Sequence, residues 1–162
     1  MPPSPWWKGT RGEWFVVIQL GLFLLVALGP RNLPGNSPWV PPFTWLGSAV
    51  GVLLIPAGGL LAAAAVLRLG ANLTALPYPK DDAEFVETGP YRFVRHPIYS
   101  GLILAALGWG LWVHGWLTIG YAVGLFVFFD IKSRREEAWL RERYPAYGAY
   151  QKRVRKLVPF VY

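Results

Sequence analysis

The chain has 162 residues, 54% of them hydrophobic, with nine tryptophans, 15% charged residues and a formal net charge of +7. A water-soluble domain of this length has no use for so much apolar surface, so composition favours a single membrane domain over 1–162. The absence of cysteine excludes disulfides, thiolate metal sites and a cysteine nucleophile, and two histidines far apart in sequence, His96 and His114, argue against a His-based metal site.

Residues 1–13 are rich in proline and tryptophan and carry Lys8 and Arg11; Trp6, Trp7 and Trp14 suit an interfacial belt. The first apolar run, 14–28, reaches roughly 22 Å and needs flanking residues to cross a hydrocarbon core of about 30 Å. A basic start before such a run also has the form of a secretory signal, but further apolar runs follow it rather than a polar mature domain. Residues 29–44 form a Pro/Gly-dense loop with one charge, Arg31, and with Trp39, Phe43 and Trp45 as interface anchors. The second run, 45–67, is long enough to span. Its Gly47 and Gly51, and Pro56 ahead of Gly58 and Gly59, point to close helix packing and a kink. Residues 68–95 are a polar connection holding Lys80, Asp81, Asp82, Glu84 and Glu87, with Pro77 and Pro79 opposing a helix. A connection of this length is either functional or disordered. Asn72-Leu73-Thr74 has the form of a glycosylation sequon, set aside because the loop reads as cytoplasmic.

The third and fourth runs, 97–113 and 116–129, are separated only by His114 and Gly115, which predicts a tight antiparallel hairpin with His114 as an interfacial turn residue. From residue 130 the chain turns polar, DIKSRREEAWLRERYPAYGAY. It reads as an amphipathic helix continuing out of the membrane, with Ile131, Trp139, Leu140 and Tyr144 roughly on one face and Pro145 ending or kinking it. A basic tail, 151–162, closes with Val158, Pro159 and Phe160. With four spans, both ends of the chain and the 68–95 loop share one side, and of the 16 Lys and Arg residues only Arg31 falls on the other. The positive-inside rule places that shared side in the cytoplasm. The basic excess then belongs to orientation and to anionic membrane lipids, not to nucleic acid. The expected fold is an all-α integral membrane protein, with four transmembrane helices plus a C-terminal amphipathic cytoplasmic helix.

Chemistry concentrates in 88–101, TGPYRFVRHPIYSG. Pro97 fits the first turn of a helix, so His96 stands at the N-cap position, and the free N–H groups of that helix end lie beside Arg92, Arg95 and His96. Two readings stand side by side: an anion-binding corner and ordinary positive-inside anchoring on lipid phosphate. The hairpin brings this corner next to Glu136 and Glu137, a pair that would otherwise read as a solvated helix face.

The segment GPYRFVRHPIYSG, a hydrophobic hairpin, and then RREEAWLRERYPAYGAYQKRVRKLVP together resemble the isoprenylcysteine carboxyl methyltransferase family and its phospholipid methyltransferase relatives, over about 68–160. The resemblance implies an integral membrane enzyme of short prokaryotic type, lacking the extra N-terminal spans of the eukaryotic enzymes. It also implies S-adenosylmethionine as methyl donor, with Tyr91, His96, Tyr99 and the Glu136–Glu137 pair lining its pocket. The donor's carboxylate suits Arg95 or His96, its ribose diol a glutamate, and its adenine or sulfonium the rings of Tyr91, Tyr99 or Trp139. Gly101 and Gly108, seven apart, either leave room for the donor or serve helix packing. Arg153 matches an arginine expected near the substrate, with Arg92 as the second candidate for holding an anionic acceptor; membrane anchoring is the alternative for both. A lipid-like or small hydrophobic acceptor entering between the spans follows. A sterol-type NADPH reductase and a non-catalytic scaffold are the competing readings.

Overall fold

The computed structural model describes residues 11–78, 82–159 and 161–162. The expectations for Trp6, Trp7, Pro79, Lys80, Asp81 and Phe160 lie outside these residues. Helices α1 (Glu13–Leu28), α2 (Phe43–Leu69), α3 (Pro97–Trp112), α4 (Trp116–Arg143) and α5 (Tyr147–Arg153) account for the fold, with 3-10 turns at Gly70–Asn72 and Gly89–Arg92. Among the described residues there is no strand, only a parallel bridge between Val94 and Arg155.

Two helical stretches, Phe43–Asn72 and Trp116–Arg143, are long and apolar enough to cross a membrane; α1 and α3 are apolar but shorter. Leu46, Leu53, Leu60 and Leu67 leave a stripe of exposed apolar surface along α2, and Leu20, Leu24 and Leu28 do so on α1. Apolar faces this continuous are covered by lipid, not water.

α2 and α3 pack most intimately, through glycines seven residues apart on each helix. A Cβ on Gly58 would lie 2.4 Å from the Gly101 carbonyl oxygen, and one on Gly51 2.6 Å from that of Gly108. Gly101 and Gly108 therefore serve helix approach, the second of the two uses foreseen for them. Gly47 sits in the same seam, against Trp39 and the Leu111 carbonyl. Pro56 lies inside an unbroken α2. The α3–α4 hairpin forms as expected. His114 takes a left-handed φ of 52° and its Nε2 lies 2.9 Å from the Thr44 carbonyl and 3.1 Å from Ser48 Oγ, which pins the turn to the start of α2.

The polar continuation of the fourth run forms as read: α4 runs unbroken from the apolar half to Arg143, about 42 Å at 1.5 Å per residue, and exceeds a hydrocarbon core by two to three turns. One expectation about it needs correcting, because its predicted apolar face is displaced. Ile131 is exposed, and the face turned inward carries Lys132, Ser133 and Glu137. Polar partners elsewhere in the fold, rather than apolar packing, draw that face in. The helix stops at Tyr144, before Pro145, and α5 follows as a short return.

Candidate active site

The site is assembled where the chain enters α3. The Gly89–Arg92 turn, with φ of 63° at Gly89, and then residues 93–96 lead into Pro97. The tail beyond α5 lies alongside this entry. Arg95 N donates to the Arg155 carbonyl at 2.8 Å, His96 N to the Lys156 carbonyl at 3.1 Å, and Ser100 Oγ to the Leu157 carbonyl at 2.6 Å. These bonds set the direction of Arg95 and His96. His96 holds the N-cap position without capping through its side chain.

The two glutamates separate into different roles. Glu137 is 4% exposed. Its Oε1 accepts from Arg95 Nε at 2.7 Å and lies 3.0 Å from His96 Nε2, while its Oε2 accepts from Gln151 Nε2 at 2.7 Å. Arg95 Nη1 also reaches the Gln151 carbonyl at 3.2 Å and the Val154 carbonyl, closing the C-terminal end of α5. A buried carboxylate requires such partners, and this one joins α3, α4 and α5. Glu136 is partly exposed and faces a cavity. Tyr99 Oη donates to Glu136 Oε2 at 2.9 Å, and His96 Nδ1 stands 3.7 Å from the same oxygen. The Tyr99 ring is held between the His96 ring at 5.4 Å and the Phe129 ring at 4.4 Å, both nearly parallel to it.

The cavity measures about 330 Å³. Tyr91, Arg95, His96, Tyr99 and Glu136 all line it. Glu137 stands behind them, outside the lining. Arg92 is exposed with its guanidinium 4.6 Å over the Phe93 ring, and the exposed Arg153 pairs with Glu87 at 2.9 Å; neither reaches the lining. Trp139 packs on Tyr78 and Arg135, likewise outside it.

Several wall residues had no signal in the sequence. Residues 72–77 and 83–86 of the connection fold over the cavity as a roof. Asn72, of the apparent sequon, exchanges bonds with the backbone of Glu84, at 3.0 Å to its N–H and 3.3 Å to its carbonyl, and Tyr144 Oη donates to the Ala83 carbonyl at 2.5 Å. Phe85 inserts among Tyr144, Tyr147 and Tyr150, with ring centroids 5.4–5.9 Å away. Lys132 from α4 and Gln19 from α1 complete the wall. Only the tyrosine spacing in YPAYGAY could have marked Tyr147 and Tyr150 in advance.

Tyr147 is 2% exposed, lines the cavity, and its hydroxyl has no hydrogen-bond partner. Burial raises its pKa well above the usual phenol value, with Glu137 and Glu136 adding to the rise, so it is held as an O–H donor. Burial and then the Glu136 charge raise Tyr91 in the same way. A carboxylate, facing aromatic rings and a stranded buried donor match a ligand that offers hydroxyls, a flat ring and polar edge atoms. That is the chemistry of S-adenosylmethionine, and the residues present fit it.

The sequence pattern of the family described as phospholipid methyltransferase matches residues 46–147. A probable protein-S-isoprenylcysteine O-methyltransferase of Oryza sativa subsp. indica is 29% identical over 121 residues, covering 72% of this chain and 63% of the relative. The protein-S-isoprenylcysteine O-methyltransferase of Mus musculus is 30% identical over 128 residues, 76% of this chain and 45% of the relative. The cobalt-zinc-cadmium resistance protein CzcN of Cupriavidus metallidurans is 26% identical over 149 residues, 91% and 62% respectively. The chain thus spans less than two thirds of the length of these relatives. In fold it is similar to the eukaryotic intramembrane Ras methyltransferase ICMT, with a TM-score of 0.60 at 21% identity over 99% of this chain and 55% of that one. An all-helical membrane architecture, a site at the entry of α3 and a family pattern covering more than half the sequence agree: the chain belongs to the phospholipid methyltransferase family, on the side similar to the isoprenylcysteine carboxyl methyltransferases.

Proposed function

We propose that the chain is a membrane methyltransferase that takes its methyl group from S-adenosylmethionine and passes it to a lipophilic or small acceptor at the cytoplasmic face. The observation that carries this reading is one cavity in which Glu136, Tyr99, His96 and Tyr91 meet the unpartnered buried hydroxyl of Tyr147, in a chain of this family. Bound S-adenosylmethionine supplies an electrophilic methyl group on a sulfonium. Glu136, kept in place by Tyr99, takes the donor's ribose hydroxyls. Arg95 and His96 are the N–H donors in their wall that suit its carboxylate. The rings of Tyr91 and Tyr99 receive the adenine or the sulfonium, and Tyr147 donates to a polar edge. Glu137 fixes Arg95 and His96 from behind. The roof formed by 72–77 and 83–86 excludes water, which strengthens each of these interactions. An anionic acceptor needs no general base, only alignment, which agrees with a wall that holds no nucleophile–base–acid triad among the described residues.

The donor-binding part lies within about 68–160 of a single domain covering 1–162. All four helices α1–α4 span in this reading. α1 and α3 each reach about 24 Å, and tilt or local thinning of the bilayer accommodates the shortfall. Charge asymmetry supports a cytoplasmic location for both ends of the chain and for the cavity.

Calorimetry with S-adenosylhomocysteine on detergent-solubilised protein tests the reading, followed by a screen of lipid extracts for acceptors of a labelled methyl group. Saturable binding and label transfer are expected. Binding of NADPH in its place would establish a reductase. Binding of neither, with substitutions at Glu136 or His96 altering only yield, would establish a scaffold.

A further inference from the structure

The chain beyond α5 reaches back along α4. Leu157 N and Val158 N donate to the backbone oxygen of Tyr162 at 2.7 and 2.6 Å, which closes this tail into a turn. The Tyr162 ring lies 6.2 Å from that of Phe126, and its hydroxyl donates to Asp130 Oδ1 at 2.7 Å. Phe126 and Arg134 stand about 15 Å and 27 Å from Trp116 along α4, against a hydrocarbon core of about 30 Å, so the tail turn sits at the inner edge of that core. Val158 and Val161 are exposed at this level, Val161 to 74%, as is Ile131 on α4. At that depth lipid chains, not water, cover them. Charge at the same level is unequal. Asp130 is the one carboxylate within 4.0 Å of Lys156 and Arg134 among the described residues, at 2.5 and 2.7 Å. Lys156 is buried, whereas the Arg134 side chain is 67% exposed. Arg134 Nε donates to Asp130 Oδ2 at 2.8 Å and Nη2 to Tyr162 Oη at 3.3 Å, while Nη1 has no acceptor among the described residues. Two cations against one anion leave a positive charge, and it is open at Arg134. A cation at the edge of the hydrocarbon favours an anion, and the anions of that layer are lipid phosphates.

We propose that Arg134 and the tail turn form a site for one anionic phospholipid, with its phosphate on the Arg134 guanidinium and its acyl chains against Val158 and Val161. The proposal rests on the membrane placement given above and not on the methyl-transfer chemistry. It differs from positive-inside attraction, which acts on every basic residue of this face alike. Here one guanidinium is held in place by Asp130 and Tyr162 with a free N–H edge, beside apolar surface, which is what a phosphate carrying acyl chains requires. The same stretch of backbone supplies the Arg155, Lys156 and Leu157 carbonyls that hold Arg95, His96 and Ser100, so the lipid site and the cavity entry share one strap.

The test uses the full chain in nanodiscs of phosphatidylcholine and phosphatidylglycerol at about 3:1, with an equal mole fraction of one or the other lipid brominated on its acyl chains. The chain has no cysteine, so Val161→Cys carries a single bimane label whose quenching reads lipid contact. The label is expected to find phosphatidylglycerol enriched about fivefold over phosphatidylcholine, the scale of one basic group at an anionic leaflet. Adding Arg134→Gln should bring the two lipids within about twofold. Arg141→Gln, which removes the same charge from an exposed position further along α4, should keep the preference. Equal quenching by both lipids before either arginine is changed, or an equal loss of preference with either arginine removed, would overturn the proposal. Arg134→Gln lowering both signals in proportion would show that Arg134 only anchors the tail. An excess of inorganic phosphate should leave the preference in place. If it abolished the preference where chloride of equal ionic strength did not, the site would take free phosphate and not a lipid. Val123→Cys, exposed in the apolar half of α4, separates this proposal from the membrane placement. If Val123→Cys is quenched and Val161→Cys is not, the tail lies in water and the proposal alone falls. If neither is quenched, the placement falls with it.

Discussion

Exchanging Glu137 for glutamine should damage the fold more than the ligand site, and the same exchange at Glu136 should do the reverse. Glu137 is a buried carboxylate bonded to Arg95, His96 and Gln151, on the inward face of a helix that three elements share. Neutralising it leaves the Arg95 guanidinium without its counter-ion, and breaking a buried pair in this way costs about 3–5 kcal/mol. For a chain of this size each kcal/mol moves the melting temperature by about 2–4 °C, so Glu137→Gln should melt about 6–20 °C lower. Glu136 is more exposed, and a glutamine carbonyl still accepts from Tyr99. Glu136→Gln should cost about 0.5–1.5 kcal/mol, a fall of less than about 6 °C. It should nevertheless lose most of its affinity for adenosylhomocysteine, whereas folded Glu137→Gln keeps part of it. Tryptophan-fluorescence melting in detergent and calorimetry on the same samples read both quantities. If Glu136→Gln melts as low as Glu137→Gln, or Glu137→Gln stays within about 2 °C of wild type, the division between an internal brace and a ligand-facing acid is wrong.

Tyr147→Phe removes a buried hydroxyl that has no partner, so stability should hold or rise slightly while adenosylhomocysteine affinity falls about five- to tenfold; unchanged affinity would take Tyr147 out of the ligand site. Gly58→Ala sets a methyl group 2.4 Å from a backbone oxygen of α3 and should cost about 1–3 kcal/mol. Gly59→Ala, with nothing within 4 Å, should be neutral or stabilising, and equal melting temperatures would show that the glycine seam does not set the α2–α3 distance. Because the chain has no cysteine, single-cysteine labelling reads topology directly. Asn36→Cys should react with an impermeant maleimide from outside intact cells and Arg141→Cys only after lysis, and labelling of both from one side would rule out the four-span arrangement.

Much of the frame was legible because membrane helices announce themselves by length and apolarity, and because a two-residue connection leaves a hairpin no alternative. The same logic brings His96 next to the glutamate pair. It did not separate Glu136 from Glu137. Adjacent helical residues differ by 100° in direction, and which of them turns inward depends on Gln151 and the α5 end, 14 residues further on. The roof was illegible for a related reason. Its structure consists of side chains bonding to backbone, as Asn72 does to Glu84 and Tyr144 to Ala83, and such bonds leave no periodicity.

The cytoplasmic half of α4 shows why polarity misleads at a site of this kind. Pattern reasoning groups Ile131 with Trp139, Leu140 and Tyr144 on one apolar face. In the fold Ile131 is 53% exposed and its neighbour Lys132 1%. Above the bilayer a helix loses the lipid that would reward an apolar outer face, so its direction is set by which polar groups find partners in the interior. Asp130, Ser133 and Glu137 each find one, in Lys156, in the helix backbone and in Arg95. Once these fix the rotation of α4, Lys132 and Glu136 must turn into the cavity whether or not the protein itself balances their charge. Bracing at neighbouring positions of one helix thus holds two opposite charges, Lys132 and Glu136, in the cavity wall, and the bracing residues supply the stability that keeps them there.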